Sequence, residues 1–227
     1  MTTRAFSRAS LIVVTDKPGY PDDVTERSLL GAGAEFVVGM DEVGRGAVAG
    51  PVAVGALVFT AALPAAPEGV RDSKLLSEKR RVALDPLVRE WAPVSAVGWA
   101  APDEVDARGI GWCLAESARR ALAEISAAGF ALDRGIVLLD GSHDWLSPAL
   151  REPVPVVTRV KADRDCVSVA AASIVAKVAR DTFMIEAERH HPQYVWGKNK
   201  GYASAAHRDA LREHGPSPLH RLTWLHG

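Results

Sequence analysis

Two apolar runs, each ending in acid, constrain this chain most. One is FVVGMDE, which closes on Asp41 and Glu42; the other is IVLLD, which closes on Asp140. Runs this apolar suit strands buried on both faces of a sheet, and burying a carboxylate at their ends is costly unless the charge is matched. A third acid, Asp163, follows another β-rich run in VTRVKAD. A lone strand-end Asp is commonly a turn former. Three of them point to carboxylates that converge, because ligand sites in α/β sheets gather outside strand ends. Converging carboxylates repel one another, and a hard divalent cation, Mg²⁺ or Mn²⁺, is the ligand that relieves them. Asp41 and Glu42 are adjacent, so a regular strand would turn them to opposite faces. Both reach one site only if the strand stops there, and Gly44 and Gly46 supply that break.

Around these acids the pattern is α/β. Strands are expected at 36–41, 51–60, 94–100, 136–140 and 154–160, the first two joined as a hairpin and the last confined to an edge by Pro155. Helical periodicity covers 77–91 with Ser77 as N-cap, 112–128 ended by Gly129, and 167–190, with a short helix at 204–213. The result is a mixed five-stranded sheet flanked by helices, with a helical C-terminal lobe. The domain reading is an N-terminal extension at 1–34, partly ordered with a short helix near 25–30, a catalytic body at 35–190 and the lobe at 191–227.

Composition excludes more than it selects. The 227 residues carry a formal net charge of −1, so any case for nucleic acid must rest on local charge. The stretch from Lys177 to His226 is the basic part, with eight Lys or Arg against five acids and six of the seven histidines. Cys113 and Cys166 fit no zinc spacing and read as buried thiols in a reduced compartment. No run approaches the ~18 apolar residues of a membrane span, and the N-terminal apolar run is too short for a signal peptide, so a cytoplasmic monomer is the expectation.

Directly after the acidic pair comes a loop with Gly44, Arg45 and Gly46. Glycines let a ligand approach main-chain groups, and such contacts can test for a ribose 2′-hydroxyl; Arg45 adds a phosphate contact. An ordinary hairpin turn would read the same way. The loop is neither a Walker A loop nor a dinucleotide fingerprint. Near the C-terminus Lys198, Lys200 and Arg208 flank Tyr202, a mix suited to phosphate contacts and sugar stacking, or to an ordinary solvated surface. Lys74 and Lys177 are further basic candidates, although Lys177 stands four residues before Asp181 and can simply pair with it. His207 can serve as a hydrogen-bonding residue of the lobe.

GMDEVGRGAVAGPV at 39–52, DSKLLSEKRR at 72–81, LLDG at 138–141, VKAD at 160–163, AAASIVAKVARD at 170–181 and KGYASAAH at 200–207 together resemble the bacterial ribonuclease HII family, over roughly 35–225. The resemblance implies a ribonuclease H-like fold. It also implies an endonuclease that cuts the RNA strand of RNA–DNA hybrids and the 5′ side of ribonucleotides embedded in DNA, leaving a 3′-hydroxyl and a 5′-phosphate, in the setting of replication and ribonucleotide excision repair. It maps the family's acids onto Asp41, Glu42, Asp140 and Asp163, the first three as ligands of two Mg²⁺ or Mn²⁺ ions. The 2′-hydroxyl-reading loop falls on Gly44, Arg45 and Gly46, and the junction-sensing tyrosine on Tyr202. The chain departs from the family in its first 34 residues, in KAD where KGD is common, and in Asn199 where His is common. Two other readings compete: a catalytically silent nucleic-acid-binding module on this fold, and a DNA-only nuclease of the same superfamily. Four intact acids disfavour the first, and a 2′-hydroxyl sensor disfavours the second.

Overall fold

The computed structural model describes residues 20–150 and 152–225, so the first 19 residues of the expected N-terminal extension lie outside it. Strands β1 (Phe36–Val43), β2 (Val52–Phe59), β3 (Ser95–Ala100), β4 (Gly135–Asp140) and β5 (Val156–Arg159) form one mixed sheet in the order β3-β2-β1-β4-β5. β1 is antiparallel to β2 and parallel to β4, and β4 is parallel to β5. β5 begins one residue after Pro155 and lies at the edge, shorter than expected because its far end turns sharply at Lys161, in the left-handed region.

Helices cover both faces. α4 (Ile110–Ala127) packs on β2 and β3, burying Cys113, Leu114, Leu122 and Ile125 against Val38, Met40, Val54 and Val58. On the other face, α2 (Glu78–Trp91) and the long α6 (Val167–Glu188) cover Val37, Leu57, Phe59 and Leu138. Ser77 caps α2 by accepting the Arg80 N–H, as its sequence predicts. α6 sits unusually close to the sheet. A Cβ at Gly39 would stand 2.4 Å from the Ser168 carbonyl carbon, and one at Gly55 2.4 Å from the Ala172 carbonyl oxygen, so only glycine lets the Ala-rich start of α6 touch β1 and β2. Burying these interleaved apolar faces is the main stabilising term.

The remaining helices are shorter. α1 (Val24–Gly31) precedes the sheet, α3 (Pro102–Arg108) precedes α4, α5 (Ala162–Asp165) precedes α6, and α7 (Trp196–Asn199) and α8 (Ala205–His214) build the C-terminal lobe. α3, α5 and α7 have seven residues or fewer, too short for their periodicity to be read. α1 matches the short helix expected near 25–30, and residues 22–31 are tied to the body. Asp22 N–H donates to Asp165 O, Val167 N–H donates to Asp22 O, and the buried Glu26 carboxylate accepts from both the N–H and the hydroxyl of Ser168 at the start of α6. Both cysteines are buried and free. Among the described residues no helix is long and apolar enough to cross a membrane.

Candidate active site

The topology brings the apolar strand ends together. β1 and β4 run parallel and their pairing stops at Met40–Leu139, so Asp41 and Asp140 stand side by side where the two strands part. Asp163 arrives from α5. Its helix is fastened to β4 by Asp140 Oδ1, which accepts from the Ala162 N–H at 2.7 Å. Lys74 comes from the other side on a single-turn segment (Ser73–Leu75), and its Nζ donates to Asp163 Oδ2 at 2.9 Å. Asp72 shapes that turn by accepting the Lys74 N–H, and the Ser73 N–H donates to Ser173 of α6.

β1 ends at Val43, directly before the expected break at Gly44. β1 keeps its antiparallel pairing to β2 through Glu42 and Val43, so the strand is complete past both acids. Glu42 is half-buried, and its charge adds to that around Asp41. Its carboxylate lies 3.6 Å from the exposed Arg45 guanidinium. The structure gathers Asp41, Asp140, Asp163 and Lys74, and the Glu42 carboxylate acts on Asp41 as well.

The electrostatics of this group are unbalanced. Burial pushes the Asp41 carboxyl well above its ordinary range; Lys74 opposes the shift, while Glu42, Asp163 and Asp140 add to it. Burial, then Asp163, raises Asp140 as well. Partial burial would lower the Lys74 ammonium, but Asp41 and Asp163 outweigh it and hold Lys74 above the usual lysine range. One ammonium thus faces several carboxylates. A hard oxygen donor set with surplus negative charge fits a divalent cation. Among the described residues no three His, Cys, Asp or Glu side chains form a ready cage.

Beside the acids lies the loop at 44–46. Gly44 has φ +79°, and a Cβ there would stand 2.0 Å from Arg180 Nε; a Cβ at the exposed Gly46 would meet nothing within 4 Å. The loop is stitched to the C-terminal lobe: Val48 and Ala49 donate to Gly201 O, Gly50 donates to Leu219 O, and Ala49 bridges His220. Tyr202 sits next door, 40% exposed as a residue. Asn199, where the resemblance leads one to expect His, holds this turn itself, donating to Tyr194 O and accepting the Gly201 N–H.

The basic candidates divide. Lys198 and Arg45 are exposed. Lys200 is buried, with its ammonium on Gly197 O and near Glu78, and Lys177 is taken up by Asp181 at 2.6 Å. Burial lowers the Lys177 ammonium. His207 is buried in the lobe in a directional chain. The Ser217 N–H donates to His220 Nδ1, so His220 carries its proton on Nε2 and donates to His207 Nε2, which leaves His207 Nδ1–H to donate to Tyr202 O. Burial lowers both imidazoles, His220 to about 4, and keeps the pair neutral.

Sequence reasoning missed Arg180 and Arg221, both fully buried. The signal for Arg180 was present: it occupies a four-spaced stripe on α6 with Ala172, Ala176 and Met184, all buried. Arg221 lies in irregular chain and left no signal.

Comparison with known proteins agrees with this geometry. The family model described as Ribonuclease HII matches residues 38–226. The chain belongs to the ribonuclease HII family. The Streptomyces avermitilis ribonuclease HII is 44% identical over 91% of this chain and 84% of its own length, and that of Salinibacter ruber is 39% identical over 88% and 96%. Among solved structures, the ribonuclease HII of Archaeoglobus fulgidus, in complex with PCNA, aligns with a TM-score of 0.64 at 29% identity, covering 83% of this chain and 95% of that one. The Bst ribonuclease HIII in complex with Mn²⁺ shares the fold, with a TM-score of 0.64 at 22% identity over 95% of this chain and 73% of that one. This ribonuclease HII is therefore an endonuclease of the ribonuclease H type, and its acids stand at the strand ends of a ribonuclease H-like sheet.

Proposed function

We propose that this ribonuclease HII hydrolyses the RNA strand of RNA–DNA hybrids and cuts on the 5′ side of ribonucleotides embedded in DNA, leaving a 3′-hydroxyl and a 5′-phosphate. The observation that carries the reading is the buried, mutually repelling group Asp41, Asp140 and Asp163 beside a loop whose Gly46 stands open. Asp41, Glu42 and Asp140 would hold Mg²⁺ or Mn²⁺, the latter being the ion bound to the ribonuclease HIII neighbour. The ions, two of them with substrate bound, supply charge stabilisation for the attacking and leaving oxygens of the phosphodiester.

The chain's own groups do the rest. Asp140 is oriented by its bond from Ala162, so its carboxylate does not need to be ordered when substrate arrives. Lys74 holds Asp163 in the group and offsets part of its negative charge as a phosphodiester approaches. Glycine at 46 leaves room for a sugar against the main chain, where a 2′-hydroxyl can be recognised. Arg45 and Lys198 are exposed for phosphates, with Lys177 and Lys200 held back in a supporting role. Tyr202 offers an open ring face for the sugar of the following nucleotide.

The test is a labelled duplex carrying one ribonucleotide, incubated with Mg²⁺ beside an all-DNA duplex. Cleavage is expected only on the first, at the 5′ side of the ribonucleotide. Replacing the ribonucleotide on the 3′ side of the scissile phosphate by its deoxy form should stop it. Unchanged cutting of the all-DNA duplex would refute the assignment.

A further inference from the structure

Two buried cations sit beneath the substrate-facing loops with no acid bonded to them. Arg180 and Arg221 are both 0% exposed, and among the described residues no carboxylate lies within 4.0 Å of either guanidinium. Asp181 and Asp106 act on them only through space. Every hydrogen bond they make goes to a main-chain carbonyl. Arg180 donates to Pro51 O (2.8 Å), Lys200 O (2.9 Å) and Ala49 O (3.1 Å). Arg221 donates to Gly44 O (2.8 Å), Arg45 O (3.0 Å) and Gly50 O (3.1 Å). All six carbonyls belong to the segments 44–51 and 200. The Arg180 guanidinium also lies 5.7 Å from the centroid of the Tyr202 ring.

Filling space does not require this. Apolar residues of similar volume commonly replace buried charge at no loss of stability. A planar guanidinium does what an apolar side chain cannot: its donors diverge at fixed angles, so several acceptors are held in one spatial relation. Arg221 ties Gly44 and Arg45 to Gly50, and Arg180 ties Ala49 and Pro51 to Lys200 in the turn that presents Tyr202, so together the two span loop and turn. We propose that Arg180 and Arg221 are positioning residues for substrate discrimination, fixing the 44–46 loop and the Tyr202 ring at a set separation so that the two read the substrate as one unit. The inference rests on the substrate reading above for what is discriminated, and on the hydrogen bonds alone for the coupling of the two loops.

The experiment uses the full-length protein with Arg180→Lys and Arg221→Lys, which keep the charge and lose the fork. kcat/KM is measured on a duplex with one embedded ribonucleotide and on a long RNA–DNA hybrid. Each variant should lose about tenfold more on the first than on the second, or ~1.4 kcal/mol, with the Mn²⁺ dependence of the residual activity unchanged. In a Tyr202→Ala background that difference should vanish, because the arginines act through the ring. Amide exchange supplies a readout independent of substrate: residues 44–51 and 199–204 should lose protection together in Arg180→Lys, whose guanidinium bonds to both segments. Equal losses on both substrates, additivity with Tyr202→Ala, or loss of protection in one loop alone would overturn the proposal. If wild-type protein fails to cut the single-ribonucleotide duplex, the substrate reading falls, and the exchange result alone still decides the coupling. Should Arg180→Lys fold poorly, Arg221→Lys still carries the two-substrate comparison and its Tyr202→Ala background, through the bonds that hold Gly44 and Arg45.

Discussion

The acid group around Asp41 and the arginine pair beneath the neighbouring loop both bury charge of one sign, and they resolve it in opposite ways. Arg180 and Arg221 spread their donors over six carbonyls, so each cation is neutralised by dipoles and the loops around it become rigid. Asp41 and Asp163 share the Lys74 ammonium, while burial and the neighbouring acids raise Asp41 and Asp140. Satisfied charge holds a shape; unsatisfied charge waits for a ligand. Energy left unspent in the free protein becomes binding energy for cation and phosphate when substrate arrives.

Neutralising one of the acids should break the contrast most strongly. Asp140→Asn is expected to lower kcat by about a thousandfold or more, as fits several kcal/mol of lost transition-state stabilisation, with the fold intact. Full activity in the purified variant would make Asp140 a structural acid. Asp41→Asn should raise the stability of the metal-free protein. The Asp41 carboxyl has a folded pKa above its unfolded one, so the native state binds more protons and the wild type loses stability as pH rises from the ordinary carboxylate range through that folded value. The melting temperature of Asp41→Asn should therefore exceed wild type by a margin that grows with pH across that window.

On the loop side, Tyr202→Ala removes a stack worth ~1–3 kcal/mol, taking base–aromatic contacts as an upper guide, or roughly a five- to 150-fold loss in kcat/KM. The loss should be larger on a single embedded ribonucleotide than on a long hybrid. Equal losses would mark Tyr202 as a packing residue of the lobe. Acid should then loosen the loop side through His220. Its folded pKa of about 4 lies below the unfolded value, so the stabilisation is present above about pH 6.5 and is lost as pH falls through 4, costing about 3 kcal/mol. Urea melts of wild type and His220→Gln across that range would show it, and a parallel pH dependence in both would refute the role.

The smallest effect sharpens the comparison from a third position. Glu26 is a buried carboxylate that burial raises, like Asp41, but its Oε1 accepts two hydrogen bonds from Ser168 at the start of α6, where the helix dipole favours negative charge. Glu26→Ala should cost about 1 kcal/mol, by analogy with the loss of a helix cap, where Asp41→Asn gains stability. A stabilised Glu26→Ala would show that burial, not crowding by like charge, governs both.

The sheet and its acids were legible because each signal was local. FVVGMDE, IVLLD and KAD declare apolar runs with acid at the end, and Ser77 and Gly129 mark helix ends. Sequence spacing could not say that β1 stays paired past Glu42, because the pairing partner at 53–54 decides that. Lys200 looked like a phosphate contact in KNKGY, and only the left-handed turn that returns its ammonium to Gly197 and Glu78 shows otherwise. Arg221 escaped because its partners lie some 170 positions earlier in the chain.

That last separation has a consequence for the order of events during synthesis. Every residue of the acid group, from Asp41 to Asp163, leaves the ribosome before Arg221 and the His220 bridge to Ala49 exist. A nascent chain can therefore close its sheet and gather its carboxylates while the loop at 44–46 still lacks the guanidinium that shapes it. The loop thus takes its final shape after the carboxylates have met, so the acid group is assembled ahead of the segment that the two guanidinium groups hold beside it.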